Sequence, residues 1–581
     1  MKSFLLPIFS GLASAALTCR PDGPVVPKPR LREAATLRDA AANLTRTLDA
    51  AVSGTIKAGW PIENVSFSVA VVSRDQEDPG VPLWEYHHLA KRNVNGTKNI
   101  GRDSQYLIGS ISKVVSDYIL LTSGLDVNAP VTKYLPKLRD SKSKVHWDDV
   151  TLAMLAGQRS GAPTNYGFSE HYGLKELFLS SGFPPIDDSA YPPCGVLDLN
   201  KACTKEELLN GMLSSYPVVA PGERAAYSNI AFTIFIMAVE EATGKTYAQL
   251  VEDALAKSLR MNSTRPSPGD DEKAVIPPGE NSWGTDFGLN APGGGLVSTI
   301  SDLSRFAYAV LTRTTALTPA QTRTWLKPNE YSGSFSAVGK PWEIFRHDNI
   351  TPEHPHSVTV HGKSGGAQAY RSQLNLLDEY GVGLIVLCAG PMNAITLLND
   401  VVLAGIAPAV DKVAREQADK GYARTFKNRG GKEGGNANTV EVDATFEMDK
   451  DSLVVKAMHR NGSDMHAAIT QIWNLTMAQF TAELGPTLRL FPTDQDEKTT
   501  LDGRQVTREV WRLWPELADW PASDLPAPGT LRDDCVLWML GDWVHYGEEP
   551  MDRFLFYKDD KGEVLGFEAP FLRTGILRPS K

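Results

Sequence analysis

The chain has 581 residues, 42% of them hydrophobic and 22% charged, an ordinary globular composition with length enough for more than one domain. Its formal net charge is -10 and it carries no long basic run, which disfavours nucleic acid as a partner, because phosphate binding needs clustered Lys and Arg. The cysteines are Cys19, Cys194, Cys203, Cys388 and Cys535, too few for a disulfide scaffold and wrongly spaced for a zinc site.

The first fifteen residues read as a secretory signal peptide. Lys2 supplies the positive start, residues 4–12 a short apolar stretch, and Ala13-Ser14-Ala15 the small residues of a cleavage site. A buried N-terminal helix is the alternative. Seven glycosylation sequons, at Asn43, Asn64, Asn95, Asn262, Asn349, Asn461 and Asn474, agree with passage through the secretory pathway. The Asn349 sequon is weakened by Pro352. No later stretch is expected to span a membrane, since none runs to about 18 apolar residues.

After a Pro-rich lead, residues 33–57 are Ala-rich and amphipathic and predict a helix. Residues 67–72 predict a strand and 83–87 its hairpin partner. A second group of strands follows at 372–377 and 382–388, with mostly helical patterns between the two groups. That order predicts one sheet built from distant segments. Cys194 and Cys203 flank a short loop and can pair in an oxidising compartment. Cys19 and Cys535 offer a further pairing between the chain ends. Cys388 sits in an apolar run and reads as a buried free thiol. Residues 426–439, rich in Gly, Asn and Lys, read as a linker between a domain at 16–425 and a mainly β domain at 440–581. In the latter, 442–448 pairs with 452–458, and 554–557 with 564–567.

The chemistry centres on Ser110-Ile111-Ser112-Lys113. Residues three apart share a helix face, so Lys113 falls within reach of Ser110. A serine hydroxyl needs a base to become a nucleophile, and a lysine serves when its surroundings favour the neutral amine. A helix N-terminus also favours the oxyanion that forms on attack. The same spacing recurs at Ser141 and Lys144, but in a highly charged stretch that reads as a solvated loop. Tyr227-Ser228-Asn229 is the second element. A tyrosine beside lysines can relay protons, and Asn229 carries both a donor and an acceptor. The third is Lys363-Ser364-Gly365-Gly366, read as an edge strand or a Gly turn entering the strand at 372. There a Lys and a Ser can hold a substrate carboxylate, and the glycines permit close approach.

The order Ser-x-x-Lys, Tyr-x-Asn, Lys-Ser/Thr-Gly resembles the serine β-lactamase and penicillin-binding-protein superfamily, in particular the class C-type enzymes and their esterase relatives. The stretches 106–113, 126–136, 150–156, 221–229 and 293–304 look like the same family. The resemblance spans about residues 60–410. The C-terminal part looks, more loosely, like the extra domain of fungal secreted β-lactamase-like proteins. The resemblance implies an α+β fold: an antiparallel sheet flanked by helices, beside an all-helical subdomain, with the site between. It implies a serine hydrolase with Ser110 as nucleophile, and Lys113 and Tyr227 sharing acid and base work in an order left open. It implies substrate contacts from Asn229, Lys363 and Ser364, an oxyanion hole from the backbone N–H groups of Ser110 and Gly366, and neither metal nor organic cofactor. The nucleophile helix is expected to end near Gly124, and a long helical insert at 187–203 to reshape the pocket.

Three functions fit these motifs. One is a hydrolase of an ester, amide or D-amino-acid peptide acting through an acyl-enzyme. Another is an acyltransferase of secondary metabolism using the same residues. The last is a binding protein that keeps the fold without catalysis. His361 is expected to be structural or pocket-lining, since Lys113 and Tyr227 fill the base position. His87 and His88 are expected on a strand surface.

Overall fold

A computed structural model describes residues 20–141, 143–391, 393–428, 440–477, 484–517 and 537–580. The expected signal peptide, Cys19, Cys535 and most of the Gly-rich run lie outside them. The chain divides into two compact units. One comprises Leu31–His347 and Val358–Ile406, the other Met1–Arg30, Asp348–Ser357 and Ala407–Lys581.

The first unit opens with helix α1 (Ala35–Val52), which buries Leu37, Ala41, Leu44 and Leu48 along one stripe. Strand β1 (Ser66–Ser73) is buried at every position, as a strand covered on both faces must be. It pairs with β2 (Trp84–His88) as the hairpin predicts, Val69 opposite Tyr86. Its other neighbour comes from more than 300 residues later in the chain, Val69 standing opposite Val386. Eight antiparallel strands form the sheet in the order β2-β1-β8-β7-β6-β5-β4-β3, where β3 is Glu330–Tyr331, β4 Ser336–Val338, β5 Glu343–His347, β6 Val358–Ala367, β7 Tyr370–Leu377 and β8 Val382–Ala389. The fold is therefore the expected α+β arrangement.

Two helices matter most for the site. Helix α2 (Ser112–Thr122) is buried from Ser112 to Leu120, and Gly124 follows it with φ +80°. Helix α3 (Ile230–Thr243) is buried all round from Ile230 to Val239, the signature of a core helix, and ends on Gly244 in the left-handed conformation.

Several expectations are corrected. The strands β3 to β5 carry no clear apolar alternation and were not anticipated. Lys363–Gly366 belong to β6 itself, just before β7, and not to a turn; β5 pairs with β6 only as far as Gly362, so these four residues pair with β7 alone and lie on a locally open edge. The insert at 187–203 contains only one short 3₁₀ turn, Asp188–Ala190, and is tied by a disulfide between Cys194 and Cys203. His87 is half-buried, its Nδ1 2.8 Å from Ser68 Oγ. Cys388, by contrast, is buried and free as expected, and burial pushes its thiol up to about 12.

Helix α4 (Ala394–Tyr422) is long and apolar enough to cross a membrane by length and composition alone. Asn399 and Asp400 interrupt the run and hid it from a search for unbroken apolar sequence. Its side chains at Ala394, Leu398, Val402 and Ile406 are buried in a stripe, the pattern of an amphipathic core helix.

The second unit is a sheet in the order β15-β14-β13-β12-β11-β10-β9-β16. Here β9 is Thr425–Lys427, β10 Val442–Met448, β11 Leu453–Arg460, β12 Leu484–Leu501, β13 Arg504–Leu517, β14 Arg553–Lys558, β15 Val564–Glu568 and β16 Arg578–Pro579. Both anticipated hairpins form. The segment expected as a linker from 426 opens with Phe426 and Lys427 paired to β10. Phe426, Phe446, Trp511, Phe556 and Phe567 make an aromatic core. Helix α5 (Met465–Met477) buries Ile469, Trp473 and Met477 at helical spacing.

Candidate active site

The polypeptide leaves the short strand Tyr106–Leu107, turns through a 3₁₀ segment at Gly109–Ile111, and enters α2. Ser110 lies in that turn, just ahead of the helix. Gly109 has φ +49°, and a Cβ there would collide with the backbone of Gly365 and Gly366. A Cβ on Gly365 would in turn strike Ile108 O and Ser372 Oγ. Glycine at both places is what lets β6 lie directly against the turn that carries Ser110.

Lys113, one helical turn on, is wholly buried at 0% exposure. Its Nζ lies 2.9 Å from Ser110 Oγ and 2.7 Å from Asn229 Oδ1, and it also donates to Gly293 O. None of these partners is charged. Burial drives the Lys113 ammonium well below the ordinary lysine range. The nearby cation Lys363 lowers it further, and Glu343 opposes the shift. A neutral amine has two N–H groups, which the two carbonyl oxygens take, and one lone pair, which remains for the Ser110 proton.

Tyr227 and Asn229 stand at the entry to α3. Asn229 N donates to Thr164 O at 2.9 Å, and Thr164 Oγ1 donates to Tyr227 O at 3.1 Å. Ser228 N donates to Gln158 Oε1 at 2.6 Å. These bonds hold the loop so that Tyr227 O–H donates to Ser110 Oγ at 2.8 Å. The Tyr227 ring centroid is 5.0 Å from Lys113 Nζ and 5.4 Å from Lys363 Nζ. Asn229 Nδ2 donates to Asn165 Oδ1 at 2.9 Å, which turns its oxygen towards Lys113.

On β6, Lys363 is buried to 1% exposure and paired with the Glu343 carboxylate from β5. Its Nζ also donates to Ser364 O at 3.0 Å, while the second Glu343 oxygen accepts from Ser364 N at 2.8 Å. A cavity of about 560 Å³ borders the same strand, lined by Ser364, Gly366, Arg371, Gln373 and Asn399 among others. Among the described residues, no three His, Cys, Asp or Glu side chains are grouped to hold a metal ion.

A family model described as Beta-lactamase matches residues 66–394. The chain belongs to the β-lactamase family. A second model, described as Beta-lactamase-like-like, C-terminal domain, matches residues 414–580. A Beta-lactamase-like protein of Arthroderma benhamiae is 42% identical over 99% of this chain and 98% of its own length. The Probable hydrolase clz13 of Cochliobolus lunatus is 26% identical over 87% of this chain and 84% of its own. The D-alanyl-D-alanine-carboxypeptidase/endopeptidase AmpH of Escherichia coli K12 is 25% identical over 53% of this chain and 78% of its own.

Of the candidates in this β-lactamase-family chain, Ser110, Lys113, Tyr227 and Asn229 meet in one hydrogen-bonded cluster. Lys363 reaches the Tyr227 ring, and Gly366 lies against the Ser110 turn. Ser364 lies on β6 with an exposed side chain. His361 is buried, its Nδ1 3.4 Å from Leu376 O. Ser141 is exposed, and Lys144 Nζ sits 3.4 Å over the Tyr216 ring. Sequence reasoning missed Glu343, Asn165, Gln158 and Gly293. Gly293 lies in a stretch that resembles the family. The other three sit in unpatterned loops or a short strand with no motif of their own. Asn43, Asn95, Asn262, Asn349 and Asn461 are exposed, and Asn64 and Asn474 partly so.

Proposed function

We propose that the protein is a serine hydrolase that cleaves carboxylic esters or amides through an acyl-enzyme on Ser110. One observation carries this reading: a buried, charge-depleted lysine points its free valence at a serine hydroxyl that a tyrosine also contacts. In the first step Ser110 Oγ bonds to the substrate carbonyl carbon, its proton passes to neutral Lys113 Nζ, and the carbonyl electron pair becomes an oxyanion. The N–H groups of Ser110 and Gly366 receive that oxyanion. As the adduct collapses, the bond to the leaving group breaks and Tyr227 gives its proton to the departing oxygen or nitrogen. The phenolate left behind is supported by the ammonium groups of Lys113 and Lys363. Water then takes the leaving group's place: it loses a proton to Tyr227, its oxygen bonds to the acyl carbon, and Ser110 departs with the proton from Lys113.

The test is a fluorophosphonate probe with peptide mass spectrometry. An adduct on Ser110, lost in Ser110→Ala, supports the reading. Folded protein that forms no adduct there contradicts it. Secretion belongs to the same proposal. It rests on the leader at 1–15 and the seven sequons, and predicts a mature N-terminus near Ala16 and glycan on purified material from the culture medium.

A further inference from the structure

The Lys363 wall holds a charge pattern that limits the substrate. Two groups suited to grip a carboxylate, Lys363 Nζ and the Ser364 backbone N–H, are already engaged by one. Glu343 places one oxygen on Lys363 Nζ and the other on Ser364 N–H. Its side chain is 42% exposed, so Glu343 is accessible from solvent although it pairs with a buried lysine. The nearest alternative cation lining the cavity, Arg371, turns Nη1 onto the carbonyls of Gln368 and Tyr370. The wall is next to the leaving group, because Tyr227, which protonates that group in the reading above, has its ring 5.4 Å from Lys363 Nζ.

We propose that Glu343 is a specificity-determining residue that excludes substrates with a carboxylate beside the scissile bond on the leaving-group side, restricting the enzyme to esters and amides that are uncharged there. The inference rests on the acyl-enzyme reading. An anionic leaving group must either bring two carboxylates together or displace Glu343 from both of its partners. Both routes cost binding energy that an uncharged group does not spend. A peptide ending in a free D-alanine carries such a carboxylate. The inference therefore sets this protein apart from a carboxypeptidase.

Two aryl esters of one acyl group test it, the leaving phenol bearing either a meta-carboxylate or the isosteric meta-carboxamide. The wild-type protein is expected to favour the carboxamide by about tenfold in kcat/KM, the scale of one like-charge contact. Glu343→Gln is expected to close that gap, while Glu343→Asp, which keeps the charge, retains it. A wild-type ratio near one, or a ratio that Glu343→Gln leaves in place, overturns the proposal. If neither ester is consumed, the same pair is compared for protection of Ser110 against the fluorophosphonate, and equal protection overturns the proposal. Failure of the probe to label wild-type Ser110 overturns the serine reading itself, which separates the two failures.

Discussion

Two walls of the candidate site each present a buried lysine, and the two walls treat it in opposite ways. On the helical wall, Lys113 Nζ hydrogen-bonds to a hydroxyl and two carbonyl oxygens, none of them charged. On the sheet wall, Lys363 meets a carboxylate. Both are almost fully buried, at 0% and 1% exposure. Burial alone therefore does not decide what a lysine does. Without an anion, desolvation favours the neutral amine and makes a base. With one, the lysine stands in an ion pair and is not set up as a base.

The sharpest way to break this comparison is to remove the base. Lys113→Arg keeps a cation of similar reach that cannot give up its proton, so hydrolysis is expected to fall by about a thousandfold or more. Lys113→Met is expected to fall as far, because charge is not what the site uses. Steady-state kinetics of both variants decide it, and substantial activity in Lys113→Arg refutes the neutral-amine role. Tyr227→Phe comes next. It removes both the proton donor to the leaving group and the base for water, and in kcat/KM, which reports acylation, the expected loss is about a hundredfold. The loss is expected to shrink for esters of acidic phenols, which leave without protonation, and a constant deficit across phenols contradicts the assignment.

Smaller effects sharpen the contrast through pH. Hydrolysis needs neutral Lys113, so kcat/KM is expected to rise as pH climbs through the Lys113 pKa. Glu343 raises that pKa, so Glu343→Gln is expected to move the limb to lower pH. Asn229→Asp puts a carboxylate 2.7 Å from Nζ in place of a neutral amide oxygen, and is expected to move it to higher pH. Shifts in the same direction for both variants are incompatible with Lys113 as the titrating group.

The parts of this site that were legible in the sequence are those fixed by local geometry or by motif. Ser110 and Lys113 are one helical turn apart, and Tyr227 and Asn229 precede an unmistakably apolar helix. The electrostatics were not legible. Glu343 meets Lys363 across paired strands, and β5 has too little alternation to announce itself. The three glycines between 362 and 366 suggest a turn. In the fold Gly365 and its partner Gly109 instead let strand and helix turn touch. The β12–β13 hairpin escaped for another reason. Pro486, Pro492 and the acidic run at 494–497 break its pattern, and the ladder accommodates them through register shifts at Leu484/Leu488 and Pro492/Asp496.

The mildest test asks whether desolvation on α2 is as strong as the behaviour of Lys113 requires, using a group that takes no part in catalysis. Asp117 lies one turn beyond Lys113 and is wholly buried, with Oδ2 accepting from Trp325 Nε1 at 2.5 Å. Burial pushes its carboxyl up to about 7, against the opposing pull of Trp325 and Lys340. In the unfolded chain the same carboxyl ionises near 3.8. The folded state therefore holds a proton that the unfolded state releases. The stability this contributes is complete below the unfolded pKa, declines between pH about 4 and about 7, and is gone above. Asp117→Asn removes that slope while keeping the shape. Thermal unfolding at pH 4.5 and 7.5 is expected to show the variant gaining on the wild type by about 2 to 4 °C at the higher pH. Parallel melting curves would mean that the α2 environment does not penalise charge, and the neutral state of Lys113 would lose its physical cause.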